Sequence, residues 1–148
     1  MRAWARTLRR RMRARIQSLF ESFVVHSDDR RLDRLAGSRR AQGLVFAQLA
    51  RRFDPSGARG FNGELQFDLR RTDGRVNTWT IAVEEDRAVC RRGPATTPAV
   101  TISSDVADVV RMAAGEFGPA SALLAGRLDL SGDWGVAMRL ARMFSTPE

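Results

Sequence analysis

The sequence predicts an α+β fold, in which a five-stranded, mostly antiparallel twisted sheet is covered by helices. Residues 61–103 alternate apolar and polar side chains between turn signals, which is typical of half-buried antiparallel strands. Apolar residues at helical spacing precede and follow that stretch. Three successive strands occur before the next helix, whereas a parallel α/β fold alternates strands with helices.

The first segment, residues 1–37, is predicted to be a basic amphipathic helical arm with a hinge, and residues 38–148 the main domain. Residues 1–40 contain twelve Arg and four acidic residues, while residues 41–148 contain thirteen of each, so the net charge of +8 belongs to the N-terminal 40 residues, which are the arm and the start of the next helix. Within residues 2–25, the apolar residues recur every four positions: Trp4, Leu8, Met12, Ile16 and Phe20.

Three roles are open for this arm. Its apolar stripe indicates packing on its own domain or on a second subunit, as such stripes usually do. Its Arg residues also suit an anionic membrane surface, with Arg9, Arg10, Arg11 and Arg13 as the contacts. The third role is a targeting peptide: the segment lacks the continuous apolar centre of a secretory signal but is similar to a mitochondrial presequence.

The next residues predict two helices. Ser27 or Asp28 caps a short helix that Gly37 ends, within the polar stretch 26–37 taken as the hinge. A second helix covers residues 38–53 and is stopped at Asp54-Pro55. Its predicted buried side consists of Leu44, Val45, Phe46, Leu49 and Phe53.

Four strands follow. Phe61 to Leu69 alternates as a first strand, Asp73-Gly74 marks a hairpin turn, and residues 76–84 form the second strand. A short third strand covers residues 88–90 and a fourth covers residues 100–103. In the second strand, Trp79, Ile81 and Val83 are expected to point to the same side.

The last third predicts three helices and one more strand. Ser104 or Asp105 caps a helix with Val106 and Val110 on its apolar face, ended by Gly115. Pro119 begins a short helix, residues 127–131 form the fifth strand, and residues 134–144 form a closing helix that is apolar almost all round.

The composition excludes several kinds of chemistry. All 25 basic residues are Arg, Cys90 is the one cysteine and His26 the one histidine. A lysine Schiff base, a histidine triad, an internal disulfide and a site with two zinc-binding histidines therefore cannot be built from this sequence. We expect no metal, no cofactor and no catalysis. No run of residues approaches the roughly 18 apolar residues that span a bilayer.

Composition also bears on source and partners. The absence of Lys indicates a GC-rich bacterial genome, and the single cysteine suits a reducing cytoplasm. We therefore expect a cytoplasmic protein that is peripheral to a membrane if the arm binds lipid. Because residues 41–148 are electrically balanced, this part of the chain does not have the basic surface of a nucleic-acid-binding domain.

Three charged or reactive candidates have simpler explanations. Glu84-Glu85-Asp86 is interpreted as a solvated hairpin loop, since consecutive residues at a turn face different directions. Arg91-Arg92 is interpreted as a solvated strand end. Cys90, on a strand, is interpreted as a buried inert thiol.

The order of elements and several short motifs resemble the sterol carrier protein type 2 domain, over about residues 38–144. The matching pieces are Gly63 to Leu69, Trp79-Thr80-Ile81, Arg92-Gly93-Pro94, Val100-Thr101-Ile102-Ser103, Gly115 at the end of the following helix, Leu123 to Leu130 with Gly126, and Gly132-Asp133-Trp134-Gly135-Val136 continuing to Leu140. No catalytic or metal motif belongs to this set.

The resemblance implies an apolar tunnel between sheet and helices that holds sterols, fatty acids or fatty acyl thioesters. At matching positions, the implied lipid-binding residues are Trp79, Ile81, Val106, Val110, Phe117, Leu123, Leu124, Leu128, Leu130, Met138 and Met143. The expected function is non-catalytic lipid binding, with transfer between membranes. The alternative is a domain with a filled core that serves as an accessory module of a lipid- or steroid-metabolising enzyme.

Overall fold

The computed structural model describes residues 26–113 and 116–144, together with Arg15, Leu19 and Ser22. The helices in these ranges are α1 (Asp29–Ala36), α2 (Arg39–Arg51), α3 (Pro55–Ala58), α4 (Val106–Ala113), α5 (Pro119–Leu124) and α6 (Trp134–Met143). The strands are β1 (Gly63–Arg70), β2 (Val76–Glu84), β3 (Arg87–Arg92), β4 (Pro98–Asp105) and β5 (Leu128–Gly132). Gly115 and the four Arg residues at positions 9–11 and 13 lie outside the described residues.

The five strands form one sheet in the order β3-β2-β1-β4-β5. β1 pairs in parallel with β4, and the other three pairings are antiparallel. The predicted α+β class, with a mostly antiparallel five-stranded sheet, is therefore confirmed.

The register of the strands collects apolar side chains on one face of the sheet. Phe67 lies opposite Trp79 on one side and Ile102 on the other, and Ile102 in turn lies opposite Leu130. Because side chains alternate along each strand, the flanking positions at intervals of two share this face. The face carries Ala88, Cys90, Trp79, Ile81, Val83, Leu65, Phe67, Leu69, Val100, Ile102, Leu128 and Leu130.

The opposite face of the sheet is polar. Arg70 on β1 bonds Asp105 at 2.9 Å, and Arg91 on β3 bonds Glu64 at 3.1 Å. The loop between β3 and β4 folds over this face, where the hydroxyl of the buried Thr80 donates to the carbonyl of Gly93 at 2.8 Å. The polar face of the sheet is therefore the side turned toward solvent, and the helices cover the apolar face.

Helix α2 presents a different face to the sheet from the one predicted. Leu44 and Val45 are 72% and 46% exposed, whereas Gln42 and Phe46 are buried. Positions 42, 46 and 49 share one face because they are spaced by four and three residues. The prediction of a buried Leu44 and Val45 was wrong. The contacts of Gln42 and Phe46 with Trp79 decide which side of α2 faces the sheet.

The polar stretch taken as a hinge contains helix α1, which is fixed to the domain. Asp28 caps it by accepting from the amide of Arg31 at 2.8 Å, and Gly37 follows its end, as predicted. Leu32 is buried in contact with Ala107 of α4. The buried Asp33 accepts from the guanidinium of Arg71 and from the amide and hydroxyl of Thr72. Residues 29–36 are therefore part of the packed structure.

The closing helix α6 is anchored next to the short helix α3. Asp133 caps α6 by accepting from the amides of Gly135 and Val136. At the other end, the amide of Asp54 donates to the carbonyl of Met143 at 2.7 Å. Gly57 of α3 has no room for a β-carbon because the backbone of Arg142 lies against it. This close approach holds α6 over the apolar face.

Candidate functional site

The space between the apolar sheet face and the helices brings together nine of the eleven residues implied as lipid-binding. Five of the nine are buried in the main core cluster: Trp79, Ile81, Val106, Leu128 and Met143. The other four are partly buried and pack against that cluster: Val110, Phe117, Leu123 and Leu130. These nine residues, called the apolar interior below, come from two strands, three helices and the segment before α5.

The remaining two residues lie on the outer surface. Leu124 is 90% exposed and Met138 is 79% exposed. In α6, Val136, Leu140 and Met143 are spaced by four and three residues and face inward. Met138 lies on the other side of that helix, four residues after the exposed Trp134. The expectation that α6 is apolar all round hid this two-sidedness.

One wall of the apolar interior is held by a buried polar group that the sequence reasoning missed. The side-chain oxygen of Gln42 accepts from the indole N–H of Trp79 at 2.9 Å and from the side-chain amide of Asn77 at 3.1 Å. Phe46, one turn further along α2, stacks on Trp79 with ring centroids 5.4 Å apart. The sequence contains one weak signal for this contact, namely that Gln42 lies one helical turn before Phe46. The second apolar side of the helix, at Leu44 and Val45, hid that signal.

A separate pocket of about 290 Å³ opens beside Trp79. It lies where the start of α2 meets the first half of β2 and the end of β3. Its lining residues are Arg39, Val76, Asn77, Thr78, Trp79, Arg92 and Gly93. Trp79 therefore belongs both to the apolar interior and to this pocket, which we call the Arg39–Arg92 pocket.

A charged cluster borders the other side of the interior, near Phe117. The guanidinium of Arg127 lies 5.0 Å from the centroid of the Phe117 ring and 3.3 Å from a carboxylate oxygen of Asp108. Arg111 also pairs with Asp108 and with Asp29 and Glu116. Burial raises the pKa of Asp108, and the positive charges of Arg127 and Arg111 oppose that shift. The cluster ties α1, α4 and the Phe117 segment together.

The groups considered for chemistry are dispersed. Cys90 is partly buried on the apolar face, and the Nδ1 atom of His26 lies 2.7 Å from the carbonyl oxygen of Ser22. Glu84, Glu85 and Asp86 are exposed at the turn between β2 and β3. Among the described residues, no three His, Cys, Asp or Glu side chains are grouped so that they could hold a metal ion. Across the same residues, no helix has the length and apolarity needed to cross a membrane.

The fold and the interior define a class of domain: a five-stranded sheet with one polar face, whose other face encloses apolar side chains beneath helices. Residues 46–145 match the SCP-2 sterol transfer family, and this protein belongs to that family. This confirms the resemblance to the sterol carrier protein type 2 domain. Family membership supports lipid binding or transfer in general terms.

Individual relatives agree with that assignment. Hydroxysteroid dehydrogenase-like protein 2 of Xenopus laevis is 27% identical over 100 residues, which are 67% of this chain and 24% of that protein. This chain thus spans about a quarter of that relative's length.

Among solved structures, Sterol Carrier Protein 2 Like 2 of Aedes aegypti matches with a TM-score of 0.58 and 24% identity over 70% of this chain and 96% of that one. The solution structure of the palmitated form of the same protein matches with a TM-score of 0.55 and 24% identity, covering 69% and 92% of the two chains. At these identities the likeness shows the fold.

Proposed function

We propose that this protein binds the hydrocarbon part of a sterol-like or fatty acyl lipid within the apolar interior and carries it between membranes. The observation that supports this most directly is the convergence of nine separated apolar residues on one space, in a fold of the SCP-2 sterol transfer family. The palmitated state of the Aedes aegypti structure supports an acyl chain as one class of ligand.

The proposed mechanism is encapsulation without bond-making. Burying an apolar chain contributes about 0.8 kcal/mol per methylene group, before the cost of ordering the ligand. The ligand enters when α6 moves away from the sheet, because α6 covers the apolar interior with the buried Met143. This movement breaks the hydrogen bond from Asp54 to the carbonyl of Met143. A site of this kind tolerates several ligands, since one methylene changes binding by only about 1–3 kcal/mol.

We also propose that the Arg-rich arm brings the protein to anionic membranes, with Arg9, Arg10, Arg11 and Arg13 as the contacts. The support is the sequence pattern: these cations adjoin an apolar stripe, and the first acidic residue is Glu21. The protein would then be cytoplasmic and peripheral to the membrane. Self-association through residues 2–25 is the competing role for the same stripe.

The second candidate function is an accessory module with a filled interior. It is favoured by one observation: the match to hydroxysteroid dehydrogenase-like protein 2 covers only 24% of that protein, so a domain of this kind forms part of a longer, enzyme-like chain there. In that role the domain helps an enzyme of lipid or steroid metabolism to assemble and need not release a ligand.

The first experiment is native mass spectrometry of the purified protein, followed by organic extraction and uptake assays with palmitate and with cholesterol. A Leu123→Trp variant places a bulky indole ring at a partly buried position of the interior, whereas Leu124→Trp makes the same change at the exposed neighbour. We expect lipid loading to fall in Leu123→Trp and to stay unchanged in Leu124→Trp. A bare mass with no uptake of either lipid would reject lipid carriage and favour the accessory module.

A further inference from the structure

The Arg39–Arg92 pocket opens at the edge of the sheet, and three of its lining residues, Asn77, Trp79 and Arg92, belong to the face that carries the apolar interior. Trp79 on β2 and Arg92 on β3 are register partners, so their side chains share the helix-covered face. Trp79 packs against Phe46 in the interior with one side of its ring and borders the pocket as well. The pocket is therefore adjacent to the apolar interior, with Trp79 between them.

The volume of the pocket suits part of a ligand. Sites that enclose a whole drug-sized molecule measure about 300–1,000 Å³. At about 290 Å³, this pocket is at the lower limit of that range. A complete sterol or acyl lipid needs more space, whereas a compact head group fits.

The charge of the pocket is positive. Arg39 and Arg92 line it, and no acidic residue does. Within the ranges 26–113 and 116–144, neither guanidinium has an ion pair or a side-chain hydrogen bond. Two neighbouring arginines are paired, Arg71 with Asp33 and Arg91 with Glu64, whereas Arg40 beside Arg39 has no ion pair in the same ranges and does not line the pocket. Two arginines without a carboxylate partner, at one concave site, favour a bound anion.

The backbone adds to this positive potential. Arg39 is the first residue of the 13-residue helix α2, so the positive end of the helix dipole lies at the pocket. The side chain of the cap Ser38 accepts from the backbone amide of Ala41, which leaves the backbone amides of Arg39 and Arg40 without a partner inside the helix. The side chain of Asn77 is fixed in place, because its Nδ2 atom donates to the side-chain oxygen of Gln42 and to the carbonyl of Gly37.

From these observations we propose that the Arg39–Arg92 pocket binds the anionic head group, a carboxylate or a phosphate, of the lipid whose hydrocarbon part lies in the apolar interior. This inference rests on the proposed lipid-binding function and adds to it a preference for anionic amphiphiles over neutral ones. The guanidinium groups hold the head group by charge-assisted hydrogen bonds, and Trp79 lies beside the first part of the chain.

The test uses three ligands with the same saturated chain and different head groups: palmitate, hexadecyl phosphate and hexadecan-1-ol. Their affinities are measured by calorimetry or by displacement of a fluorescent probe, at low and high NaCl concentration. The pocket variant is Arg39→Gln with Arg92→Gln. The matched control is Arg40→Gln with Arg87→Gln, which removes the same charge from exposed positions of the same helix and strand outside the pocket.

We expect the pocket variant to bind palmitate or hexadecyl phosphate about ten- to a hundredfold more weakly, as the loss of charge-assisted hydrogen bonds predicts. Its affinity for hexadecan-1-ol should be unchanged, and the control variant should bind all three ligands as the parent protein does. Whichever anion loses more affinity identifies the preferred head group. Urea unfolding of both variants verifies that they are folded.

Two results would overturn the inference, and they differ from each other. If the three ligands bind equally well and the pocket variant changes none of them, the anionic preference is wrong while lipid binding stands. If none of the three ligands binds the parent protein, the proposed lipid binding fails and the inference fails with it.

Discussion

Replacing Gln42 with leucine tests the contact that orients Trp79 at the edge of the apolar interior. Gln42 is buried, and its side-chain oxygen accepts from Trp79 and from Asn77. Leucine has a similar size and favours helix formation to a similar degree. The substitution therefore removes the acceptor with little change in volume or helix propensity.

The expected loss of stability comes mainly from Trp79. A buried donor left without a partner costs about 1–3 kcal/mol. Asn77 keeps its hydrogen bond to the carbonyl of Gly37 and borders the pocket, where water can reach it, so its contribution is small. The added apolar burial of leucine offsets roughly 1 kcal/mol. These terms leave a net loss of about 0–2 kcal/mol, and we expect Gln42→Leu to lower the free energy of unfolding by about 1 kcal/mol.

Urea unfolding with linear extrapolation measures this difference. The matched control is Gln48→Leu, the same substitution at an exposed position of the same helix, which should change stability by less than about 0.5 kcal/mol. The indole N–H resonance of Trp79 should shift and exchange faster with water in Gln42→Leu alone. Equal stability of the two variants, or an unaltered indole resonance, would refute the role assigned to Gln42.

Two further predictions concern charged groups. Burial raises the pKa of Asp108 above its ordinary value of 3.8, so the folded state holds this proton more tightly than the unfolded state. The stability of the parent protein relative to Asp108→Asn should therefore increase as the pH falls from neutral to about pH 4, and urea unfolding showing the opposite slope would contradict this. Changing Arg9, Arg10, Arg11 and Arg13 to serine should lower the affinity for anionic vesicles, measured by co-sedimentation, by at least about a hundredfold, since each cation near the surface contributes roughly 1 kcal/mol. Phosphatidylcholine vesicles serve as the control, and unchanged binding to anionic vesicles would remove the arm from membrane docking.

The strands were predictable because their signal is local. An extended chain alternates its side chains by backbone geometry, so the period of two in β1 and β2 could be read directly. The hairpin turn at Asp73-Gly74 was predicted as well, and Gly74 has a φ of +87°, where a residue without a β-carbon is favoured. The apolar face of the sheet followed from these patterns once the register was known.

Which side of a helix is buried could not be predicted from local sequence in the same way. Helix α2 offers two apolar sides, and its own sequence does not say that Gln42 and Phe46 are buried while Leu44 is exposed. That choice depends on Trp79, which is 37 residues away from Gln42 in sequence. A buried glutamine is acceptable because a distant donor satisfies it, and no local pattern encodes that partner.

The sequence by itself determined the fold class, the places of the five strands and of the longer helices, and the resemblance to a lipid-binding family. Helix α3 (Pro55–Ala58) was missed, because Asp54-Pro55 was interpreted only as the end of the preceding helix. The tertiary structure decided which of the implied residues meet: nine converge in the apolar interior, while Leu124 and Met138 lie outside. It also packed α1 onto the domain through Asp33 and brought Arg39 and Arg92 to one pocket. The physical reason is that periodicity is set by neighbouring bonds, whereas burial and charge pairing depend on side chains that meet only after the chain has folded.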